Sequence, residues 1–528
     1  MSVSLNPVAG VVPVDAAYAP SPSLGSPTLG PPTVGSPGLG SPSLGSSSLG
    51  SPTLVSPSLV PRALVSRALV SPTLGASHEM TVSSVIVGGG PAGVAPLIAA
   101  SHRGSLAHIL AGGLAIVERG HAIGIGSIGR YAINSDSTAD TFMTAVRNNP
   151  HPFLSRLQGH PAVEAVASYG RGPVPLRLVG EFMAVVGAAL HDSVAATPGT
   201  AVLLGHEAVH TTQAHDGLWR TKLRRVSDGV TRTILSRLVI VATGGHQPRP
   251  LLRRQRVAGE PLLPRFAGKL LRSGEVLTAA GLDAIGHRLA ASRHKRVAII
   301  GGASSAVACA HALLHSRYGS QFGTGAVTVL HRRPLRVFYP SADAARSEGY
   351  DEFGPDDICP VSGFVFRFAG FRLESRELVM AVRGIGGRPA EKRLRLHQLE
   401  MGPDPAALAI LEEADVIVSA LGYRPRALPV LAASGRPIRL FASGPGGRPL
   451  VDGRCRILDA AGKPIPGLLG IGLAAGFKSA EAVGGEPSFT GQTNGLWQWQ
   501  NDIGAIIAQS MQAHCMQESA RNEPALML

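Results

Sequence analysis

The chain is 528 residues long, 44% of them hydrophobic, with a formal charge of +14. That length exceeds the usual size of one domain, and the apolar fraction is enough for substantial cores. The first 79 residues contribute nothing to the charge, because Arg62 and Arg67 balance Asp15 and Glu79. The positive balance of the remainder favours anionic ligands. No lysine and arginine block and no RNA-binding aromatic motif occurs, so nucleic-acid binding is not expected. Four cysteines, Cys309, Cys359, Cys455 and Cys515, lie far apart with no CxxC pair and no zinc spacing. They predict reduced thiols, no metal site and a cytoplasmic protein. No apolar run reaches the ~20 residues needed to cross a bilayer, so no membrane association is expected, and no secretory signal opens the chain. Composition leaves the oligomeric state open, a homo-oligomer included.

Residues 21 to about 75 repeat a five-residue unit close to Ser-Pro-Ser/Thr-Leu-Gly. Proline and glycine at that density prevent helix and sheet, and one leucine per unit cannot build a core. Residues 1–79 therefore read as a disordered leader. Either they form a tether, or translation starts at Met80 and the repeat is upstream sequence.

Ser83 to Val87 reads as a buried strand, followed by the turn Gly88-Gly89-Gly90 and a helix opening on Pro91-Ala92-Gly93. Gly88 allows the tight turn, Gly90 lets backbone approach a pyrophosphate, and Gly93 lets helix pack on strand. The helix N-terminus then faces the phosphate charge. Thirty positions after Gly88, the strand Leu114-Ala115-Ile116-Val117 ends in Glu118, an acid placed to bind ribose hydroxyls. Together these features predict adenine-dinucleotide binding.

A glycine-rich loop, His121 to Tyr131, leads to Asn134-Ser135-Asp136-Ser137. Residues 177–193 form an amphipathic helix pattern, and Ala201 to Leu204 a short apolar strand. Runs between 206 and 236, broken by Asp216-Gly217 and Asp228-Gly229, predict a β-meander. Leu238 to Val241 is then a buried strand ending in Ala242-Thr243-Gly244-Gly245.

A second unit begins at Val297-Ala298-Ile299-Ile300-Gly301-Gly302-Ala303-Ser304-Ser305. Ala303 stands at the middle glycine position, and its methyl would hold the backbone slightly off a pyrophosphate. The next strand, Val327 to Leu330, ends in His331-Arg332-Arg333 rather than in an acid. Guanidinium groups there suit a 2′-phosphate, which favours NADPH over NADH; the alternative is a solvated turn. Ala414 to Tyr423 mirrors the strand ending at Gly244. A last strand, Leu468 to Gly472, precedes a helix predicted from about Gly491 to Gln512. The segment Phe338 to Met380 matches no motif and reads as a substrate lid or a surface insertion.

This order resembles flavoproteins in which an NADPH domain is inserted in an FAD domain, and the resemblance covers about residues 82–512. It implies an α/β fold with two Rossmann-like, three-layer ββα nucleotide-binding domains. The boundaries expected are 80–255 and 425–528 for the FAD domain and 256–424 for the NAD(P)H domain. No cysteine pair is present for dithiol chemistry. The chain therefore looks more like the class B flavin monooxygenases, whose fingerprint is Phe-x-Gly-x-x-x-His-Ser. Phe266 to Ser273 stands at the corresponding place, with Arg272 in place of the histidine.

The resemblance implies FAD on Gly88, Gly90, Pro91, Ala92, Gly93, Glu118 and Gly244, with Gly472 and Gln492 approaching the flavin. It implies NADPH on Gly301, Ala303, Ser304, Ser305, Arg332 and Arg333. The implied reaction uses O2 and a flavin hydroperoxide to hydroxylate a small soft nucleophile, an amine or sulfur. Asn134, Asp136 and His246 are the candidate catalytic groups. Asn134 to Ser137 could equally cap a helix, and His246 could be a loop residue. Two other readings stand beside this one. One is an NAD(P)H-dependent flavin reductase or oxidase of a small organic acceptor without CxxC; the other is a non-catalytic flavoprotein-fold binding subunit.

Overall fold

The computed structural model describes residues 79–444, 448–478, 483–493 and 495–522, with side chains described as far as Met516. The predicted repeat-bearing leader lies outside these residues, apart from Glu79.

Strand β1 (Met80–Val87) leads through the glycine turn into helix α1 (Pro91–His102), and strand β2 (Leu114–Glu118) follows. β1 pairs in parallel with β2 on one side and with strand Thr231–Val241 on the other. Ala201–Leu204 extends the parallel sheet beyond β2. Apolar runs this continuous suit strands covered on both faces: Val85, Ile86, Leu114, Ile116, Val239 and Ile240 are all fully buried. The expected meander joins the same sheet through His206–Gln213 and Trp219–Arg225.

Sequence signals separated a meander ending near residue 236 from a buried strand starting at Leu238. The structure makes them one strand of eleven residues, Thr231–Val241. Its first half pairs antiparallel with the Trp219–Arg225 strand, through Trp219 opposite Ser236. Its second half pairs in parallel with Pro464–Gly470, through Leu468 opposite Val239. A change of partner along one edge, not a break in the backbone, underlies the composition shift at Arg237.

The second sheet is wholly parallel. Its order is Leu270–Arg272, Val416–Ser419, Val297–Ile300, Val327–His331 and Leu394–Gln398. Alternation along Val297–Ile300 feeds two cores, Val297 and Ile299 on one face, Ala298 and Ile300 on the other. Helix Ser304–His315 packs on the first face through Val307, Cys309 and Leu313.

Helix Leu176–Ala195 is long and apolar enough to span a bilayer, yet its inner face is core, with Val179, Phe182, Met183, Val186 and Leu190 fully buried. The surface-insertion reading of Phe338 to Met380 is overturned. Tyr339, Tyr350, Val365, Phe366 and Phe371 belong to the second core, and Tyr339 stacks on Tyr350 at 5.3 Å. The final helical stretch starts at Leu496, not at Gly491. Thr493 is tied elsewhere before it: its amide and hydroxyl both donate to the Phe477 carbonyl, at 3.2 and 3.3 Å. After Gln498 the helix widens into a π-turn, Trp499–Ile503, before resuming as Gly504–Asn522.

Candidate active site

Both glycine turns are built by close backbone approach. Gly88 has φ +101°, and a Cβ there would sit 2.5 Å from the Ala242 carbonyl oxygen. A Cβ on Gly93 would overlap the Gly88 carbonyl oxygen, so α1 lies directly on the turn. Pro91 has no N–H, and the Gly93 and Val94 amides donate to the Gly90 carbonyl at 2.9 and 3.1 Å, so among the first-turn donors of α1 the Ala92 amide is the one left for a diphosphate. Glu118 accepts from the Gly89 and Gly120 amides, each at 2.7 Å. The carboxylate thus pins the turn it stands beside, and its remaining lone pairs suit ribose hydroxyls. Gly472, with φ +113°, closes on α1, since a Cβ there would lie 3.1 Å from the Ala92 Cβ. These features fit an adenine dinucleotide.

The second turn repeats the plan. Gly301 has φ +141°, and a Cβ there would run into the Ala420 carbonyl oxygen. Ala303 takes the N-cap position of helix Ser304–His315 in extended conformation. Gly301, Ala303, Ser304, Ser305, Arg332 and Arg333 all line one cavity of about 840 Å³. Its opposite side comes from the other half of the chain, through Asp136, Leu473, Gln492 and Trp497. Among the described residues, five arginines face this space (Arg332, Arg333, Arg336, Arg367 and Arg372) against a single carboxylate, Asp136. A strongly cationic wall beside a helix N-terminus fits a phosphorylated nicotinamide nucleotide.

Among the candidate catalytic groups, the structure brings only Asp136 to the cavity. Asn134, two residues earlier, donates to Glu374 Oε1 at 2.6 Å and ties the first half of the chain to helix Leu373–Arg383. His246 lies outside the cavity wall. It pairs in register with Arg424 in a two-residue antiparallel bridge, with Nδ1 3.2 Å from the Arg424 carbonyl oxygen. Burial, with Arg426 and Arg272 nearby, lowers the His246 pKa against the pull of that hydrogen bond. Gly244, also outside the wall, has φ +74° and accepts from the Arg426 amide at 2.9 Å.

Arg272, at the fingerprint's histidine position, caps the following helical turn: it bonds Glu275 through backbone and side chain, and its Nη1 donates to the Gln247 carbonyl at 2.7 Å. A guanidinium can serve both sites at once.

Sequence reasoning missed Arg367, Phe368 and Arg372 on the cavity wall. Their signal was the run Phe366-Arg367-Phe368-Ala369-Gly370-Phe371-Arg372, in which cations alternate with apolar residues. It also missed Asp502, on the π-turn. One of its carboxylate oxygens is buried with no partner among the described residues. Burial pushes this carboxyl up to about 6, with Arg367 and Arg103 pulling it down. Because the folded value lies above the unfolded one, ionisation costs folding stability. That cost is absent below about pH 3, where both states are protonated, and fully present above about pH 7. Asp502→Asn should raise stability by on the order of 2–3 kcal/mol at pH 7.5 and change almost nothing at pH 3. Urea unfolding midpoints at the two pH values check this.

A family model for pyridine nucleotide-disulphide oxidoreductases matches residues 82–352, a stretch containing both glycine turns. The chain belongs to the pyridine nucleotide-disulphide oxidoreductase family. It is an oxidoreductase with that family's two-domain flavoprotein fold. No disulfide joins any of the four cysteines, all of which are buried. Burial alone pushes the Cys309 thiol up to about 12. Within the curated proteins, the chain is 35% identical over 452 residues to the CMP-5′-(3-aminopropyl)phosphonate hydroxylase of Streptomyces rubellomurinus, covering 83% of this chain and 99% of that protein. Among solved structures it is similar to the ornithine N-hydroxylase of Kutzneria sp. 744, at 18% identity and TM-score 0.45, covering 82% and 99% of the two chains. It is likewise similar to the L-lysine 6-monooxygenase of Pseudomonas syringae, at 14% identity and TM-score 0.47, with 82% and 99% coverage.

Proposed function

We propose that the protein is a cytoplasmic FAD- and NADPH-dependent monooxygenase that hydroxylates the nitrogen of a small anionic primary amine. The observation that carries this reading is the shared cavity, walled on one side by the second dinucleotide turn with its arginines and on the other by Asp136, Leu473, Gln492 and Trp497. The 35% identity to a hydroxylase of an aminopropylphosphonate nucleotide supports both the reaction and the substrate class. On this reading the NADPH domain spans 256–424, between FAD-binding segments 80–255 and 425–528.

When bound and reduced, flavin activates O2 and supplies one oxygen atom to a soft nucleophile. The chain's residues supply position and charge. Gly88, Gly90, Pro91, Ala92 and Gly93 hold the FAD diphosphate, Glu118 the ribose, and Gly244 and Gly472 flank that site. Ser304 and Ser305 offer amides and hydroxyls to the NADPH diphosphate, while Arg332 and Arg333 take its 2′-phosphate. Asp136, the single carboxylate on the wall among the described residues, pairs with the substrate ammonium and steadies it until its proton leaves. Ring-edge hydrogen bonds fall to Gln492, and Trp497 keeps water from the reacting atoms.

The test is amine-dependent NADPH consumption by the yellow holoenzyme, with product mass and released peroxide measured together. An amine gaining 16 mass units with little peroxide is expected. Peroxide matching all the NADPH consumed, with no modified amine, would indicate an oxidase instead. Absence of NADPH oxidation would indicate a binding subunit.

A further inference from the structure

Arg367 is only 8% exposed yet lines the cavity. Its Nη1 donates to the Val483 carbonyl at 2.9 Å and reaches Cys359 Sγ at 3.5 Å. Its Nη2 and Nε have no acceptor among the described residues, and no carboxylate there comes within ion-pair distance. Glu486 spends both oxygens on the Phe368 and Ala369 amides at 2.7 to 3.0 Å. Asp502 influences Arg367 from beyond ion-pair reach. Ser362, Arg367 and the Gly485 amide outweigh burial and hold the Cys359 thiol down to about 7, so it balances part of the charge. A guanidinium this buried is costly without a full counterion.

The surroundings fix its direction. The guanidinium lies 5.2 Å over the Phe368 ring, which tilts against Phe489 at 5.6 Å, and both rings face the cavity. Arg336 and Arg372 stand alongside on the same wall. Arg336 is held by Asp357 at 3.1 Å and Ser488 at 3.0 Å, and Arg372 donates to the Arg367 carbonyl at 2.7 Å. Arg332 and Arg333 sit apart in the chain, at the end of strand Val327–His331, where a 2′-phosphate is expected.

We infer that Arg367, flanked by Phe368 and Phe489, forms a second anion site in this cavity, which takes the phosphonate or phosphate group of the amine substrate. This rests on the proposed amine hydroxylation. The site selects amines that carry such an oxyanion, with the rings available to a base linked to it. The same oxyanion chemistry could come from NADPH, and the experiment separates the two sources.

Calorimetry on the holoenzyme saturated with NADP+ would use 3-aminopropylphosphonate and its CMP conjugate as probes, with n-butylamine as the uncharged-tail control. The wild type should bind both phosphonates and not n-butylamine. Arg367→Gln should lose about 10- to 100-fold in probe affinity, the range for a hydrogen-bonded charge, and Arg367→Lys should recover part of it. NADPH titration of the same variants is the second readout. A loss confined to NADPH, or equal binding of n-butylamine, would overturn the inference, as would a wild type that ignores both phosphonates. Should Arg367→Gln not fold, Phe368→Ala, which keeps the charge and removes the ring, must weaken the CMP conjugate more than the free phosphonate. Binding without hydroxylation would refute the reaction while leaving the anion site standing. Hydroxylation undiminished in Arg367→Gln would do the reverse.

Discussion

Gly93→Ala should purify colourless, retaining less than about a tenth of the flavin of the parent protein. The added Cβ would overlap the Gly88 carbonyl oxygen and lie 3.0 Å from the Gly88 carbonyl carbon. Both neighbours are backbone, so no rotamer change relieves the contact. Either α1 lifts from the turn or the turn opens, and each movement takes the helix N-terminus away from the diphosphate. Overpacking of this kind typically costs ~1–3 kcal/mol in stability, so a lowered melting temperature should accompany the lost colour. Gly323→Ala is the matched control, because a Cβ there meets nothing within 4 Å. The ratio of visible to 280 nm absorbance reads the result. A fully yellow Gly93→Ala protein would show that the diphosphate does not rest on this turn.

The double change Arg332→Ala with Arg333→Ala should lower kcat/KM for NADPH by at least about 100-fold while leaving NADH nearly untouched. Both residues are exposed on the cavity wall just past strand Val327–His331, and Arg332 donates to the Arg256 carbonyl at 3.3 Å. Each charge-assisted hydrogen bond to a phosphate contributes ~1.5–3 kcal/mol. Two such bonds give the expected factor. Because NADH lacks the 2′-phosphate, the ratio of the two nucleotides isolates the effect from any general damage. Equal losses for both would mean that these arginines hold another part of the nucleotide, or only the fold.

Much of this architecture is written in local patterns. The two glycine turns, the strands on either side of them and the acid or arginines thirty residues on are short-range signals, because tight turns and buried parallel strands tolerate few alternatives. Arg367 was not legible in the same way. One partner, Val483, lies 116 residues away, and only the fold shows that an arginine between phenylalanines is buried and faces a cavity. The Thr231–Val241 strand illustrates another limit: which neighbour a strand pairs with along its length leaves no periodicity behind. Asn134 and Asp136 were indistinguishable as candidates in sequence. Only the hydrogen bond from Asn134 to Glu374 separates one that braces two halves of the chain from one that faces the cavity.

The pairing of Pro464–Gly470 with Thr231–Val241, and of Gly504–Asn522 with α1, has a consequence for biosynthesis. The strand and helix that complete the surroundings of the Gly88 turn emerge from the ribosome about 380 and about 420 residues after it. Contacts so distant along the polymer form late and slowly. The nicotinamide-nucleotide half, whose five strands lie between residues 270 and 419, can assemble on the nascent chain well before then. Flavin capture is therefore expected only once the Gly504–Asn522 helix has emerged, with the apoprotein then depending on the free cofactor pool.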